Sequence, residues 1–550
     1  MPIYFRLSFL IVLTLQICTT ATTAGKLRSV AQIGQQAPGA PSSTFFSSFN
    51  TPVIDNHGRV AFRAFVGGPG VGTTVQGIWL GQSTQDSDLI VLAGEQASGV
   101  PDGVTYGPGI RSPTLSGDGE IAFSASLTSN VQGFSGVRGL WRRDGDSNNR
   151  LVAGIGLPAQ QTNNNEVFRY FDSSVPVAGG RVAFIGTTEG PNVTDENDMG
   201  IWREQSQGLS LVIREGAQLA GAPVGVTPGD FRDLSINKAG NVAFHGFLTG
   251  SGVDTSSHFG VWLEGNQGIE LVARSGEQAP GASLGVSFLG FDSTVLNSAG
   301  EVAFQSFVGR FPGNSSATGI WVSDGRRLSL VALEGSQAAG ANPGLIYSSV
   351  GDPLLNDSRQ VAFAGVTQGT GVNPTNDEFL WSGSDGDLVV VAREGGQAPG
   401  VDLGVAFAGG FTAISLNALG QTAFTSQLTG PGVDDTNDMG IWAENLAGEL
   451  KLIAREGDQV DISDDPTTEQ LRTIRSLSLA SQTDIQTEPS TGLNDRGEIA
   501  FLATFIDGTG QGVFISSVVA VPEPSGATLL LIAIAVSSPL LRRGNLASYR

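Results

Sequence analysis

Three segments of the chain concentrate oxygen donors: Asp195-Glu196-Asn197-Asp198, Asn373-Pro374-Thr375-Asn376-Asp377 and Asp434-Asp435-Thr436-Asn437-Asp438. Carboxylates and amides grouped on loops are the donors that a hard cation takes, so Asp195, Asp198, Asp434, Asp435 and Asp438 are the calcium candidates. No EF-hand spacing frames them, and Asn and Asp serve equally as solvated turn residues. Imidazole is scarce: His57, His245 and His258 are the three histidines, and no two stand at a metal-ligand spacing, which argues against zinc catalysis. Neither a Gly-x-Ser-x-Gly elbow nor a phosphate-binding loop ending in Lys-Ser/Thr occurs. The expectation is a protein that is not an enzyme and has no cofactor other than calcium. A glycosidase or lyase is the competing class, and it needs two carboxylates about 5 to 10 Å apart, which spacing in sequence does not reveal.

Other chemistry-bearing residues recur, and recurrence speaks for structure. Arg214-Glu215, Arg393-Glu394 and Arg455-Glu456 end the same repeated segment, which suggests structural ion pairs. All seven tryptophans occupy one repeat position, six after a Gly-Ile-like step, as in Gly77-Ile78-Trp79 and Gly319-Ile320-Trp321, and one after Leu380, which marks them as packing residues.

The elements that position these residues are set by a tandem repeat. Asparagine, two residues, glycine, two residues and Ala-Phe recur eight times, ending at Phe62, Phe123, Phe184, Phe244, Phe304, Phe363, Phe424 and Phe501. The period is about sixty residues until a stretched last interval. Asn and Gly tolerate positive φ and close a tight turn, so the flanking apolar runs become a hairpin. A tryptophan strand and a further strand such as Leu328-Ser329-Leu330-Val331-Ala332-Leu333 complete four short antiparallel strands per unit, the content of a propeller blade. Asp55, Ser116 and Val177 replace the asparagine and Arg359 replaces the glycine, which predicts altered turns in those units.

The final unit lacks a fourth strand after Gly512-Val513-Phe514-Ile515, whereas Leu27-Arg28-Ser29-Val30-Ala31-Gln32 resembles the fourth strand Leu388-Val389-Val390-Val391-Ala392-Arg393. The N-terminal strand therefore completes the last blade and shuts the ring, which removes the exposed edges of an open array. The fold expected is all-β: a β-propeller of four-stranded blades, eight of them, closed by that strand. The stretched unit, with Asp461 to Glu469 and Arg472 to Arg475 ahead of the hairpin, is read as an insertion.

Composition narrows the partners. A formal net charge of -22 repels phosphate backbones, so nucleic acid is not an expected partner. The single cysteine, Cys18, lies in the first apolar segment, which leaves the mature protein without a disulfide.

Three regions follow: 1–24 a signal peptide, 25–520 the repeat domain and 521–550 a sorting tail. Arg6, the apolar run Leu7 to Leu15 and the small residues Thr19 to Gly25 have the order of a secretory signal. At the other end Val521-Pro522-Glu523-Pro524-Ser525 leads into the apolar run Gly526 to Leu541 and then Arg542 and Arg543. The run is short for a spanning helix, and the arginines behind it hold the tail on the cytoplasmic side.

The order Pro-Glu-Pro, apolar helix, arginine pair resembles the PEP-CTERM sorting signal of Gram-negative bacteria. That resemblance implies processing by an exosortase membrane protease at Pro522, Glu523 and Pro524, and an association with extracellular polysaccharide. The Asn-x-x-Gly-x-x-Ala-Phe pattern itself resembles a bacterial repeat group often paired with surface-anchoring tails, over roughly residues 27 to 517. Together they imply export machinery and an exosortase-like protease as partners during sorting, a transient membrane anchor at the C-terminal helix, and a final place at the cell surface or in the extracellular matrix. There the chain is expected to bind or build, with polysaccharide or surface proteins as partners. Calcium-dependent adhesion is the third class.

Overall fold

The Asn-x-x-Gly turn explains why each repeat begins as a hairpin. In the computed structural model Asn237 N donates to Asn241 O (3.0 Å) and Gly240 N to Asn237 O (2.8 Å), while the Asn237 side-chain oxygen accepts from Asn241 N (2.9 Å). Positive φ falls on Gly240 (86°), not on the asparagine, whose role is to cap the turn with its amide. The substituted repeats correct the expectation of altered turns. Arg359 stands at the glycine position with φ 62° and keeps the bond to Asn356 O (3.0 Å). Asp55 caps through His57 N (2.9 Å) and Arg59 N (2.8 Å), and Ser116 through Glu120 N (3.1 Å). Val177 has no acceptor to offer, and there the turn does change: Ala178 pairs with Arg181 around Gly179 (φ 55°) and Gly180 (φ 69°), a two-residue hairpin loop.

The structure describes residues 27–519 apart from 69–70, 132–135, 144–147, 163–164, 173–175, 207, 220–221, 266–267, 311–315, 464–466, 482–490 and 507–509. The expected signal at 1–24 and the sorting tail, with Pro522, Glu523, Pro524, Arg542 and Arg543, lie outside the described residues.

The strands assemble into eight antiparallel sheets, the blades. Blade 4 runs Val226–Ile236, Val242–Gly250, Phe259–Gly265 and Gly268–Arg274; blade 5 runs Ser287–Leu296, Val302–Gly309, Ser316–Ser323 and Leu328–Leu333. The first strands of successive blades touch one another, which places them innermost around the axis. Ring closure is as the sequence implied. Arg28–Gln32 pairs with Gln511–Ser516 in the register Arg28 to Ile515 and Gln32 to Gly512, supplying the outer strand of blade 8. Arg472 and Arg475 are not part of an insertion: they lie on Leu471–Leu479, the first strand of blade 8.

The core lies between blades. Trp321 of blade 5 clusters with Ala243, Val261 and Ala273 of blade 4, and its ring stacks on Phe304 at 16° and meets Phe288 edge-on at 5.0 Å. All seven tryptophans are buried. Six of them donate their indole N–H to a backbone carbonyl of the segment that enters their own blade, as Trp321 does to Pro280 O (2.9 Å) and Trp79 to Pro38 O (2.9 Å). A buried indole N–H needs a partner, so this bond fixes the crossover from one blade to the next.

Candidate functional site

The hairpin turns converge at one end of the axis. The capping asparagines form a chain of clasps there: each side-chain amide donates to the backbone carbonyl of the same position in the next blade. The bonds run from Asn237 to Asn297 (3.0 Å), then to Asn356 (3.1 Å), Asn417 (3.0 Å), Asn494 (3.0 Å) and Asp55 (2.8 Å). Residues from seven blades line a cavity of about 70 Å³ at this end, Leu296, Leu355, Leu416 and Leu493 among them. The enclosed space is of the size of a few water molecules, and the clasps around it join neighbouring blades.

The other end of each second strand carries the acidic loops. Asp195 and Asp435 are exposed. The Asp434 carboxylate closes its own turn, accepting from Thr436 N (2.9 Å) and Oγ1 (2.6 Å), which holds its pKa below the usual value. Asp198 and Asp438 instead face Glu215 and Glu456. Burial, with those aspartates adding to it, pushes both glutamates up to about 7. The arginine and glutamate expected to pair with one another do not: the arginine ends its strand, the glutamate opens the turn that follows, and each bonds a different backbone group. Arg455 Nε donates to Asn437 O (2.7 Å) and Arg274 Nε to Ser257 O (3.1 Å). The Glu215 and Glu394 carboxylates accept from Met199 N (3.1 Å) and Asp377 N (3.1 Å). Both members of each repeated pair therefore fasten the loop that precedes the tryptophan strand.

With the repeated groups occupied in this way, the residues without counterparts stand out. Blades 1 and 2 bring Arg63, Arg111 and Arg138 together, where burial and the charge of Arg111 lower the pKa of Arg63 and Arg138. Blades 4 and 5 answer with Asp230, Asp233 and Asp292.

The densest cluster joins these two blades. Asp233 (φ 48°) and Ser293 (φ 48°) occupy equivalent bulges of their first strands, where the register shifts between Arg232 and Ser235 and between Asp292 and Val295. A left-handed non-glycine residue costs about 1–3 kcal/mol, and here it turns Asp233 toward blade 5. The Ser293 N–H is shared between Asp233 Oδ2 (2.8 Å) and Asp292 Oδ1 (3.1 Å). His245, buried on the second strand of blade 4, sets Nδ1 3.3 Å from Asp233 Oδ2 and 3.4 Å from Thr294 Oγ1. Burial lowers the His245 pKa against the opposing pull of Asp233 and Asp292. Among the described residues Asp233, His245 and Asp292 are the group of three such side chains whose ligand atoms all lie within 4.8 Å of one another. None of the three acidic loops forms one among the described residues. Sequence reasoning missed this cluster, because spacing was sought within one segment and the three residues come from two repeats. Aligning the repeats would have shown His245 where other units carry Arg63, Gln305 or Ala364.

The family model described as "Family of unknown function (DUF7453)" matches residues 16–107 and 54–528. No match was found among curated proteins. Among solved structures, the β-propeller domain of the Trilobed protease from Pyrococcus furiosus is similar at 11% identity and TM-score 0.35, covering 75% of this chain and 99% of that one. The Dos1 propeller is similar at 9% identity and TM-score 0.38, covering 89% and 95%. An acylaminoacyl peptidase in complex with Z-Gly-Gly-Phe-chloromethyl ketone is similar at 12% identity and TM-score 0.37, covering 74% and 52%. Likeness at this level concerns the fold alone.

Proposed function

The chain belongs to the DUF7453 family, and we propose that this member is an exported propeller that acts at the cell surface or in the extracellular matrix as a non-catalytic binding and structural module. The observation that carries the reading is where the repeated polar groups are used. Asparagine clasps, indole N–H groups and loop-fastening arginines and glutamates all hold the ring together, which leaves a rigid frame with one asymmetric, charged inner wall. A preorganised polar wall of this kind suits a polar polymer, and the export signal at 1–24 and the Pro522-Glu523-Pro524 tail favour polysaccharide outside the cell as that polymer. In this reading export machinery carries the chain out, an exosortase-like protease cuts it near Pro522, and the helix before Arg542 and Arg543 anchors it until then.

The test incubates the purified protein with matrix polysaccharide of the producing organism and scores co-sedimentation and new reducing ends together. Co-sedimentation without cleavage is expected, and no binding at physiological salt sinks the reading. A carbohydrate-active enzyme is the second reading, favoured by the convergence of Asp233 and Asp292 on one N–H. New reducing ends that vanish in Asp292→Asn would establish it instead. For sorting, Glu523→Ala in the native host is expected to leave the protein in the membrane fraction; unchanged release would refute processing at that stretch.

A further inference from the structure

We propose that Asp233, His245 and Asp292 form a binding site for one divalent transition-metal ion of the zinc or manganese class, set in the inner wall between blades 4 and 5. Three observations carry this. The first is charge. Two carboxylates converge on the single Ser293 N–H, and among the described residues neither pairs with an arginine or lysine. The nearby guanidinium of Arg232 is engaged elsewhere, 2.9 Å from Asp230 Oδ2 and over the Phe247 ring at 5.1 Å. A divalent cation between the two carboxylates would take the place that no arginine or lysine bond fills there.

The second is geometry. The 3.3 Å between His245 Nδ1 and Asp233 Oδ2 is long for an N–H···O bond. It equals the ligand–ligand edge, about 3.3 Å, of a tetrahedron with metal bonds of about 2.0–2.1 Å. His245 is 4% exposed whereas Asp292 is exposed and Asp233 half-buried, so the set is anchored on one side and open to the channel on the other. An ion enters there and keeps coordination positions for water or ligand oxygens. The third is singularity. The position of His245 holds Arg63, Gln305, Ala364 and Thr425 in other blades, and that of Asp233 holds Thr51, Ser112 and Ala413, so the repeat does not require this cluster.

The donor set selects the metal. An imidazole nitrogen with carboxylates suits zinc or manganese, whereas calcium takes oxygen ligands alone, so this site is distinct from the acidic loops. The inference stands apart from the surface-module reading, since ion binding and polysaccharide binding are measured separately.

The experiment titrates chelator-stripped full-length protein with Zn²⁺, Mn²⁺ and Ca²⁺ by calorimetry, and follows Co²⁺ by its visible spectrum. One equivalent of Zn²⁺ or Mn²⁺ is expected, with visible Co²⁺ bands of imidazole-carboxylate coordination. Affinity is expected to fall about tenfold or more in His245→Gln and in Asp292→Asn, the latter exposed and so harmless to folding. Absence of stoichiometric binding overturns the proposal. Binding of equal strength in both variants overturns it too, as does binding of Ca²⁺ alone. Melting curves of the stripped variants separate lost ligation from lost folding, and a folded Asp292→Asn that binds as tightly as the parent refutes the site.

Discussion

Replacing Asn417 by alanine isolates what the clasps contribute. Its amide nitrogen donates to Asn494 O (3.0 Å) across the blade boundary and to Gln421 Oε1 (2.9 Å), and its oxygen accepts from Gln421 N (2.9 Å) and Leu419 N (3.1 Å). Asn417 and Gln421 are buried, while Leu419 reaches solvent and finds water instead. Three buried groups thus lose a partner, at about 1 kcal/mol each, so the loss is about 3 kcal/mol. Unfolding entropy of about 2.1 cal/mol/K per residue over roughly 490 residues gives about 1 kcal/mol/K, so Tm falls by about 3 °C. Calorimetric melting of the purified protein reads this directly. Asn437→Ala, whose side chain closes a solvent-facing loop through Asp434 N and Gly432 O, is the control and should shift Tm by under about 1 °C. Equal shifts in the two variants would refute the idea that the turn asparagines couple blades.

Three further outcomes follow from the same structure. Trp321→Phe removes the donor to Pro280 O and part of a buried ring, and should cost about 3 kcal/mol, read as a Tm loss of about 3 °C. Deleting residues 27–33 strips Gln511–Ser516 of its partner strand, and size-exclusion chromatography should show aggregation or self-association through that edge; a well-behaved monomer would contradict closure by this strand. Glu215 and Glu456 have folded pKa values of about 7, above the unfolded value, so the folded state binds more protons between about 4.5 and 7. Their contribution is full below the unfolded pKa and is lost as pH rises through 7. Tm should therefore rise from pH 8 to 5.5, and Glu456→Gln should blunt the rise; a Tm that falls over this interval, or an unaltered slope in the variant, counts against the assignment.

Local pattern and repetition made the architecture legible. Eight copies of one hairpin motif, one tryptophan position and an orphan fourth strand at Leu27 to Gln32 dictate blade content, blade number and ring closure, because a blade buries its apolar faces only against neighbours. The pattern also revealed that the tryptophans pack between blades. It did not reveal what the asparagines do beyond the turn, since their second partner lies about sixty residues away and is brought near by the ring. It misassigned Arg-Glu neighbours as partners, because the backbone groups that each of them bonds belong to a loop about seventeen residues away in the chain. His245, Asp233 and Asp292 look unrelated along the chain. They meet because equivalent bulges in adjacent blades face each other across one boundary, a proximity that only the closed tertiary structure creates.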